Sequence, residues 1–386
     1  MPARRRKVSP FMWVLMSWTL LSHAAVGLAV SAVARGLHVP WPGALGLLAA
    51  VVLFAPFRDR MLALMPDRPR SIWKLRLLEI PYFAHWCASA VALVWTVLAA
   101  ALWAPTRLIS GYSAFELPNA AVWGYAAGAV LAGWGVLVRR KLVKVRRLAL
   151  PIRGLDPSFD GYTIVQLSDL HIGSFSQEPT GLRWARIANR IQPDLIAVTG
   201  DLVTNGSAFH GQIVNVMCAL CARDAVVVSP GNHDYFGDGE SLIAKLRSRG
   251  VQVLRNQSIQ IERGDASLLV AGVDDTWTGR ADLAAALRKR RPGQPAVLLA
   301  HDPDLYPSAA NAAVQLVLSG HTHGGQVAMP FAARWLNLSR LSHRFHLGLY
   351  SNGASHLYVN GGLGTTGPPV RLGSPPEITV VRLRCA

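Results

Sequence analysis

The chain has 386 residues, enough for two domains, and its formal net charge is +17. Residues 1–150 hold 18 Lys and Arg against 4 Asp and Glu, whereas the remaining 236 residues hold 21 against 18. The basic excess therefore lies among long uncharged stretches, which is typical of a membrane protein. It argues against a nucleic-acid-binding domain, in which basic residues spread over a folded face.

Four apolar stretches follow the basic N-terminal tail, at about residues 11–34, 41–57, 80–103 and 118–138. The first, third and fourth run 21 to 24 residues without Lys, Asp or Glu, long enough to cross about 30 Å of hydrocarbon as helices. The second has 17 residues and is marginal, with a re-entrant or interfacial segment as the alternative. We therefore predict a four-helix transmembrane region over residues 1–138.

The charges of the connections predict how these spans are oriented. The N-terminal tail has four Lys or Arg. The connection 58–79 has six, and the segment after the fourth span has another six, whereas each of the other two connections has one. By the positive-inside rule, both ends of the region lie in the cytoplasm. This predicts a multi-pass protein of the inner (cytoplasmic) membrane whose large C-terminal part is cytoplasmic and whose partner is the lipid bilayer.

A cleaved secretory signal is the alternative for the first stretch. Arg5 and Arg6 precede an apolar run that ends in Ala32-Val33-Ala34, a small-residue pattern typical of cleavage sites. The run is longer than a typical signal core, which favours an uncleaved span. Cleavage would leave three spans and the same cytoplasmic side for the C-terminal part.

Two histidines, His23 and His85, lie inside predicted spans, where an ionisable residue suggests a functional site. The spans offer no Asp, Glu, Lys or Arg partner at membrane depth. Hydrogen bonding between helices by neutral rings is therefore favoured over a proton relay, and we interpret the region as an anchor.

A basic linker is predicted over residues 139–157, and an α/β domain over 158–386. Short apolar runs predict strands at 162–167, 195–199, 225–229, 251–254, 258–262, 267–273, 296–300, 314–318, 357–360 and 377–383. Amphipathic segments predict helices at 182–192, 211–221, 240–249 and 280–289. Strand–helix alternation followed by closely spaced strands indicates mixed sheets with helices outside them.

Side chains that can bind metals follow five of the predicted strands directly. They are Asp169, His171, Asp201, Asn232, His301, His321 and His323. Because ligands bind beyond the carboxyl ends of strands in such sheets, we expect these side chains to meet in one cluster. Seven oxygen and nitrogen ligands exceed what one tetrahedral zinc needs and suit two divalent metal ions. Without a thiolate, the expected ions are manganese, iron or zinc, with cobalt or nickel as alternatives.

These residues stand in five sequence blocks: Asp169-x-His171, Gly200-Asp201, Gly231-Asn232-His233-Asp234, His301 and Gly320-His321-x-His323. The ordered set resembles the calcineurin-like metallophosphoesterase superfamily over residues 160–384, which implies a four-layer α/β/β/α fold with two mixed sheets. The segments Gly320–Val327 and Tyr358–Glu377 further resemble a bacterial membrane-associated branch, some members of which hydrolyse UDP-2,3-diacylglucosamine.

The resemblance also implies a role for each residue. One metal would be held by Asp169, His171, Asp201 and His323, and the other by Asp201, Asn232, His301 and His321. Asp201 would bridge them, His233 would stabilise or protonate the leaving oxygen, and Asp234 would orient His233. The implied reaction is hydrolysis of a phosphodiester or pyrophosphate bond by a metal-bridging hydroxide that attacks phosphorus in line.

Tethering to a bilayer favours a lipid-linked or membrane-proximal phosphoester as substrate, because it concentrates the enzyme beside lipid head groups. One alternative is a tethered phosphodiesterase or phosphatase for soluble nucleotides or phosphoproteins. Another is a non-catalytic membrane scaffold, in which we would expect some of the metal-binding residues to be replaced, whereas all of them are present here. The segment Phe331–Tyr350, with Trp335 and Phe345, forms either a basic, apolar lip for an amphiphilic substrate or a connecting helix whose apolar face is core. The sequence identifies neither the substrate-binding residues nor the oligomeric state.

Overall fold

The structure is a computed structural model. The residues it describes are 10–62, 69–110, 116–328 and 338–386. They fall into two compact units: residues 10–62, 72–110 and 116–138 form the first, and residues 69–71, 139–328 and 338–386 form the second.

The first unit is helical, as its long apolar runs predict. Its helices are α1 Pro10–Gly36, α2 Pro42–Phe54, α3 Phe57–Leu62, α4 Ile72–Lys74, α5 Ile80–Ser110 and α6 Leu117–Gly133, with π-helical turns at Leu75–Glu79 and Trp134–Val138. Four segments are long and apolar enough to cross a membrane: Trp13–Gly36, Pro42–Met61, Ile72–Ile109 and Leu117–Lys141. The prediction of four apolar helices is confirmed, and the marginal second one reaches 20 residues because α3 continues it.

Small residues let these helices approach one another closely. A Cβ atom on Gly27 of α1 would lie 2.8 Å from the carbonyl oxygen of Gly46 in α2. Gly128 of α6 and Ala88 of α5 are related in the same way, at 2.6 Å. Such contacts are typical of helices in lipid, where no hydrophobic driving force brings helices together.

The two histidines that lie inside predicted spans, His23 and His85, contact each other. Their Nε2 atoms are 3.2 Å apart, and Nδ1 of His85 lies 2.8 Å from the Tyr125 hydroxyl. Nδ1 of His23 donates to the carbonyl of Thr19 at 2.8 Å. His85 of α5 therefore connects α1 to α6, which agrees with the prediction of histidines that bond between helices.

The second unit contains two six-stranded mixed sheets. The strands are β1 Lys144–Ile152, β2 Thr163–Leu167, β3 Leu195–Thr199, β4 Ala225–Ser229, β5 Gln252–Val253, β6 Gln257–Arg263, β7 Ala266–Gly272, β8 Ala296–Leu299, β9 Leu316–Ser319, β10 Gly348–Asn352, β11 Ser355–Val359 and β12 Glu377–Cys385. The strand orders are β1-β12-β2-β3-β4-β5 and β10-β11-β9-β8-β7-β6. Strands β2 to β5 are parallel, as are β7, β8, β9 and β11.

Three apolar clusters give this unit its four layers. Residues such as Ile164, Val227 and Leu299 fill the space between the sheets. The outer face of the first sheet packs against α7 Glu178–Asn189, α8 His210–Cys218 and α9 Gly239–Ser248. The outer face of the second sheet packs against α10 Leu283–Leu287 and α11 Tyr306–Asn311. Because each sheet is covered on both faces, its strands can be apolar throughout, and the predicted α/β/β/α architecture is confirmed.

One part of the predicted domain organisation is wrong. The stretch 139–157, predicted to be a linker, contains β1, which pairs in parallel with β12 from Lys144 opposite Glu377 to Ile152 opposite Cys385. This strand forms an edge of the sheet and is half exposed, so basic residues occupy several of its positions. Charged residues are common on edge strands because they discourage pairing with other chains, and here they conceal the apolar pattern of a strand.

Only residues 338–350 of the segment Phe331–Tyr350 can be compared with the two predictions, and they support the one in which its apolar side chains are core. Residues 329–337, including Trp335, lie outside the described residues. Phe345 is buried and packs edge-on against Tyr306 and Tyr350, with ring centroids 5.4 and 5.1 Å apart. Phe345 is therefore a core residue and not part of a lip, and the segment ends in a 3-10 turn, Leu338–Leu341, and strand β10 where a connecting helix was the alternative.

Candidate metal centre

The predicted metal-binding side chains all lie in loops that follow parallel strands. Both sheets contribute: the loops after β2, β3 and β4 carry Asp169, His171, Asp201 and Asn232, and those after β8 and β9 carry His301, His321 and His323. A buried glutamine, Gln166, joins the sheets near these loops, because its Nε2 donates to the Thr199 hydroxyl and the Ser319 carbonyl, both at 2.9 Å. The predicted metal-binding side chains thus come together from loops of two sheets.

The backbone at this site is held in an uncommon conformation. Five of the predicted ligands have left-handed φ angles between 45° and 70°, namely Asp169, His171, Asp201, His321 and His323. A non-glycine residue pays about 1–3 kcal/mol for such a conformation, which persists only where the surroundings enforce it. These unfavourable backbone conformations bring side chains from both sheets into one small volume.

One group of ligand atoms comprises Asp169, His171, Asp201 and His323, all buried and within 4.8 Å of one another. Nε2 of His171 lies 3.0 Å from Nε2 of His323 and 3.5 Å from Oδ2 of Asp201. Nε2 of His323 lies 3.4 Å from Oδ1 of Asp169. Two ring nitrogens and two carboxylates that point at one spot form a typical set of ligands for a divalent ion.

A second group comprises Asp201, His301 and His321. Nε2 of His301 lies 3.2 Å from Oδ2 of Asp201 and 3.3 Å from Nδ1 of His321. Nδ1 of His301 donates to the carbonyl of Thr199 at 2.7 Å, which leaves Nε2 free to bind a metal. Oδ2 of Asp201 is therefore close to ligands of both groups.

Asn232 has a buried oxygen without a partner, and its neighbour Gly231 packs against the second group. The Asn232 side chain is buried, and its Oδ1 has no hydrogen-bond partner in the described part of the chain. The preceding residue, Gly231, packs so closely that a Cβ atom there would lie 2.3 Å from Oδ1 of Asp201. An unpaired buried amide oxygen costs about 1–3 kcal/mol, and a metal ion would satisfy it. This observation supports Asn232 as a ligand.

The charges of the cluster also suit a cation. Burial raises the pKa of the Asp169 carboxyl above its ordinary value. It lowers the pKa of His171 to about 3, which keeps this ring neutral. Burial opposes protonation of His301 as well, but the nearby Asp201 carboxylate outweighs it and raises the pKa of His301 to about 10. A divalent ion bound by these side chains would compete with a proton for His301 and would compensate both carboxylates.

His233 lies at the rim of the cluster and is partly exposed. Its ring is 4.7 Å from that of His171, and its backbone N–H donates to Oδ1 of Asp201 at 2.9 Å. Nδ1 of His233 donates to the carbonyl of Thr204 at 2.6 Å, so Nε2 is available to a bound substrate.

Asp234 does not hold the His233 ring as the resemblance implied. Its buried carboxylate accepts hydrogen bonds from the backbone N–H groups of Leu202 and Val203, at 2.8 and 3.3 Å, and of Gly231 at 2.9 Å. Asp234 therefore joins the loops after β3 and β4, and the Thr204 carbonyl is the partner that orients His233. The sequence could not show whether Asp234 contacts the His233 ring or the backbone of another loop, because His233 and Asp234 are neighbours in the chain in either case.

Arg371 is a residue of the site that the sequence analysis missed. It is completely buried, and its guanidinium donates to the carbonyls of Gly361 at 2.7 Å and Gly364 at 2.6 and 2.9 Å. Its Nη2 also lies 3.3 Å from Nδ1 of His323. Burial lowers the pKa of Arg371 only to about 10, so the side chain stays charged at neutral pH. Arg371 thereby fixes His323 and the loop that packs against Asp169.

Two exposed aromatic rings flank the cluster and were also missed. Trp277 is 65% exposed with its ring 5.6 Å from that of His321, and Phe236 is 44% exposed with its ring 4.6 Å from that of His233. Large apolar side chains that stay in contact with solvent beside a polar cluster often mark a binding surface. Only their exposure distinguishes them from core aromatic residues, and the sequence does not show exposure.

Comparisons with known proteins agree with this geometry. Residues 162–325 match the family described as calcineurin-like phosphoesterase. The chain is 32% identical over 267 residues to the uncharacterized metallophosphoesterase YkuE of Bacillus subtilis, a match covering 67% of this chain and 93% of that protein. It is 33% identical over 275 residues to the transmembrane protein with metallophosphoesterase domain of Bos taurus, covering 67% of this chain and 61% of that protein.

A third relative is the uncharacterized metallophosphoesterase YkoQ of Bacillus subtilis. It is 30% identical over 247 residues, covering 62% of this chain and 90% of that protein. The names of these relatives describe metal-dependent phosphoesterases, and the bovine name also describes a transmembrane protein. The described part of this chain has four helices that are long and apolar enough to cross a membrane. The match to YkuE covers 93% of that protein at 32% identity, and the chain has a buried cluster of Asp and His side chains. We conclude that this chain belongs to the calcineurin-like phosphoesterases, a family of metal-dependent hydrolases.

Proposed function

We propose that this chain is a membrane-anchored phosphoesterase that hydrolyses a phosphodiester or pyrophosphate bond in a lipid-linked or membrane-proximal substrate. We propose manganese, iron or zinc as its two ions, the inner membrane as its location, and the cytoplasm as the side of the catalytic unit. The proposed domain division is an anchor over residues 1–138 and a catalytic domain that follows it and includes β1.

The observation that carries the reaction is the position of Asp201. Its Oδ2 lies within 3.5 Å of a ring nitrogen in each ligand group, so one carboxylate is placed to serve two ions. When bound, two such ions lower the pKa of a shared water and neutralise the charge that develops on the phosphoryl oxygens. Asp169, His171 and His323 would complete one coordination sphere, and Asn232, His301 and His321 the other.

His233 is the residue best placed to help the leaving group depart. The Thr204 carbonyl fixes its tautomer with Nε2 unprotonated or free to carry the transferred proton, and the residue is partly exposed. A histidine held in this way stabilises or protonates the oxygen that leaves phosphorus. Asp234 acts one step further away, because it fixes the backbone of the loops that carry Asp201 and His233.

Replacing His233 with Gln should lower kcat about 10²-fold for a phosphodiester with an alkyl alcohol as leaving group, because general acid catalysis is lost. The loss should be much smaller for bis-p-nitrophenyl phosphate, whose leaving group needs little protonation. Steady-state kinetics with both esters, together with metal content by mass spectrometry, measure this. Equal losses for the two esters at unchanged metal content would remove the proton-transfer role.

The proposal of a lipid-linked substrate depends on the anchor and on the two exposed aromatic side chains, Trp277 and Phe236, that flank the cluster. The full chain, purified in detergent without chelators, should hydrolyse a lipid-linked pyrophosphate or phospholipid diester with a higher kcat/KM than cyclic nucleotides or phosphopeptides. A soluble nucleotide as the best substrate would support the alternative of a merely tethered phosphodiesterase, and a phosphopeptide would support a phosphatase.

Replacing Trp277 with Ala should raise KM for the preferred lipid substrate roughly tenfold or more, because burial of an aromatic side chain against an apolar group contributes about 1.5–3 kcal/mol. Trp277→Phe, which keeps a large apolar ring, is the matched control and should retain most of the affinity. If KM is unchanged in Trp277→Ala and in Phe236→Ala, these rings do not contact the substrate.

A further inference from the structure

One cavity in the catalytic unit has features that the metal cluster does not explain. We call it the Trp184 pocket. Its volume is about 260 Å³, and its lining includes Arg140, Lys141, Phe175, Arg183, Trp184 and Thr365. Three basic side chains line it and no carboxylate does so among the described residues. The pocket is therefore a region of positive potential that attracts anions.

Three residues that line this pocket each have a buried polar atom without a hydrogen-bond partner in the described ranges. These atoms are Nε of Arg183, Nε1 of Trp184 and Oγ1 of Thr365. Trp184 is 1% exposed and Thr365 is 8% exposed, so bulk water does not readily compensate them. Each buried, unpaired polar atom costs about 1–3 kcal/mol, and native proteins rarely leave several together without a ligand or ordered water.

Two of the basic side chains are held in place by backbone carbonyls of residues that line the pocket. Nη1 of Arg140 donates to the carbonyl of Phe175 at 3.4 Å, and Nη2 of Arg183 donates to the carbonyl of Lys141 at 3.0 Å. Arg183 is thereby fixed through one nitrogen while its Nε has no acceptor. The lining residues thus supply a fixed guanidinium, an indole N–H and a hydroxyl, a set of donors that matches an ion with several acceptor oxygens.

The pocket adjoins the metal cluster without sharing its ligands. Gly364 lines the pocket, and a Cβ atom on it would lie 2.9 Å from the Cβ atom of His171. The backbone N–H of Gly364 donates to the carbonyl of Asp169 at 2.7 Å. One loop thus forms a wall of the pocket on one side and packs against two predicted metal ligands on the other.

We propose that the Trp184 pocket binds a phosphate group as an anion site separate from the metal centre. Arg140 and Lys141 are the last residues of the candidate span Leu117–Lys141, and anionic lipid head groups lie where a span ends. The phosphate could belong to such a head group or to free phosphate, and the chemistry that recognises it is the same.

The test uses the full chain in nanodiscs, with metals removed by chelator so that the cluster does not attract the anion. In one arm, binding of inorganic phosphate is measured by equilibrium dialysis in nanodiscs of neutral phosphatidylcholine. In the other, retention of phosphatidylglycerol is measured by native mass spectrometry. The variants are Arg183→Gln, Trp184→Phe, and Arg186→Gln, which removes an exposed arginine of the same helix outside this pocket.

Arg183→Gln should weaken binding tenfold or more in at least one arm, because a hydrogen bond to a charged group is lost. Trp184→Phe, which removes one N–H and keeps the charge, should weaken it by a smaller factor, and Arg186→Gln should match the wild type. An effect on phosphate supports a free anion, and an effect on the lipid alone supports a head group. The proposal is overturned if Arg183→Gln and Trp184→Phe, with unchanged unfolding temperatures, bind like Arg186→Gln in both arms.

Discussion

Replacing Asp201 with Asn should abolish hydrolysis, with a loss of about 10⁴-fold in kcat for bis-p-nitrophenyl phosphate. The physical reason is that Oδ2 of Asp201 lies beside ring nitrogens of both ligand groups, and an amide cannot supply the same charge to two cations. A loss of 10⁴-fold corresponds to about 5.5 kcal/mol of transition-state stabilisation, which is the order that a pair of ions contributes. Metal content should fall from about two ions per chain to one or fewer.

The matched control is Asp265→Asn, which makes the same chemical change at an exposed turn between β6 and β7. It should retain full activity and two ions. Full activity in Asp201→Asn would contradict the bridging role. Loss of activity with two ions still bound would show that Asp201 acts on the substrate and not on the metals.

The clustering of the proposed metal ligands could be predicted from the sequence because each follows an apolar run directly. Asp169 and Asp201 come after β2 and β3, and parallel strands bring their carboxyl ends to one edge whatever the distance along the chain. The ten predicted strands are present with ends that differ by at most two residues. Fully buried strands are apolar throughout, so their pattern is easy to detect.

The residues that escaped prediction depend on contacts distant in sequence. Strand β1 is half exposed at a sheet edge, and its pairing partner β12 lies more than 200 residues away. A charged residue such as Arg371, in a segment rich in glycine and proline, is expected on the surface, and only the fold shows that it is buried. The resemblance of Tyr358–Glu377 to a membrane-associated branch was the one signal that pointed to this segment.

Replacing Arg371 with Met should destabilise the catalytic unit by about 3 kcal/mol, because the carbonyls of Gly361 and Gly364 would be left buried without a donor. For a unit of this size, that loss corresponds to a decrease of about 6–12 °C in the unfolding temperature, measured by calorimetry of the full chain in detergent. Metal affinity should also fall roughly 10–100-fold, since Nη2 of Arg371 lies 3.3 Å from the ring of His323 and fixes its orientation.

Two further variants separate this role from a general effect of charge. Arg371→Lys keeps the charge but cannot reach both carbonyls with one planar group, so its unfolding temperature should lie between those of wild type and Arg371→Met. Arg382→Met removes an exposed arginine from β12 and should change stability by no more than about 0.5 kcal/mol. If Arg371→Met unfolds and binds metal like Arg382→Met, the buried guanidinium does not support the cluster. A large fall in metal affinity with little change in unfolding temperature would instead show that Arg371 acts chiefly by positioning His323.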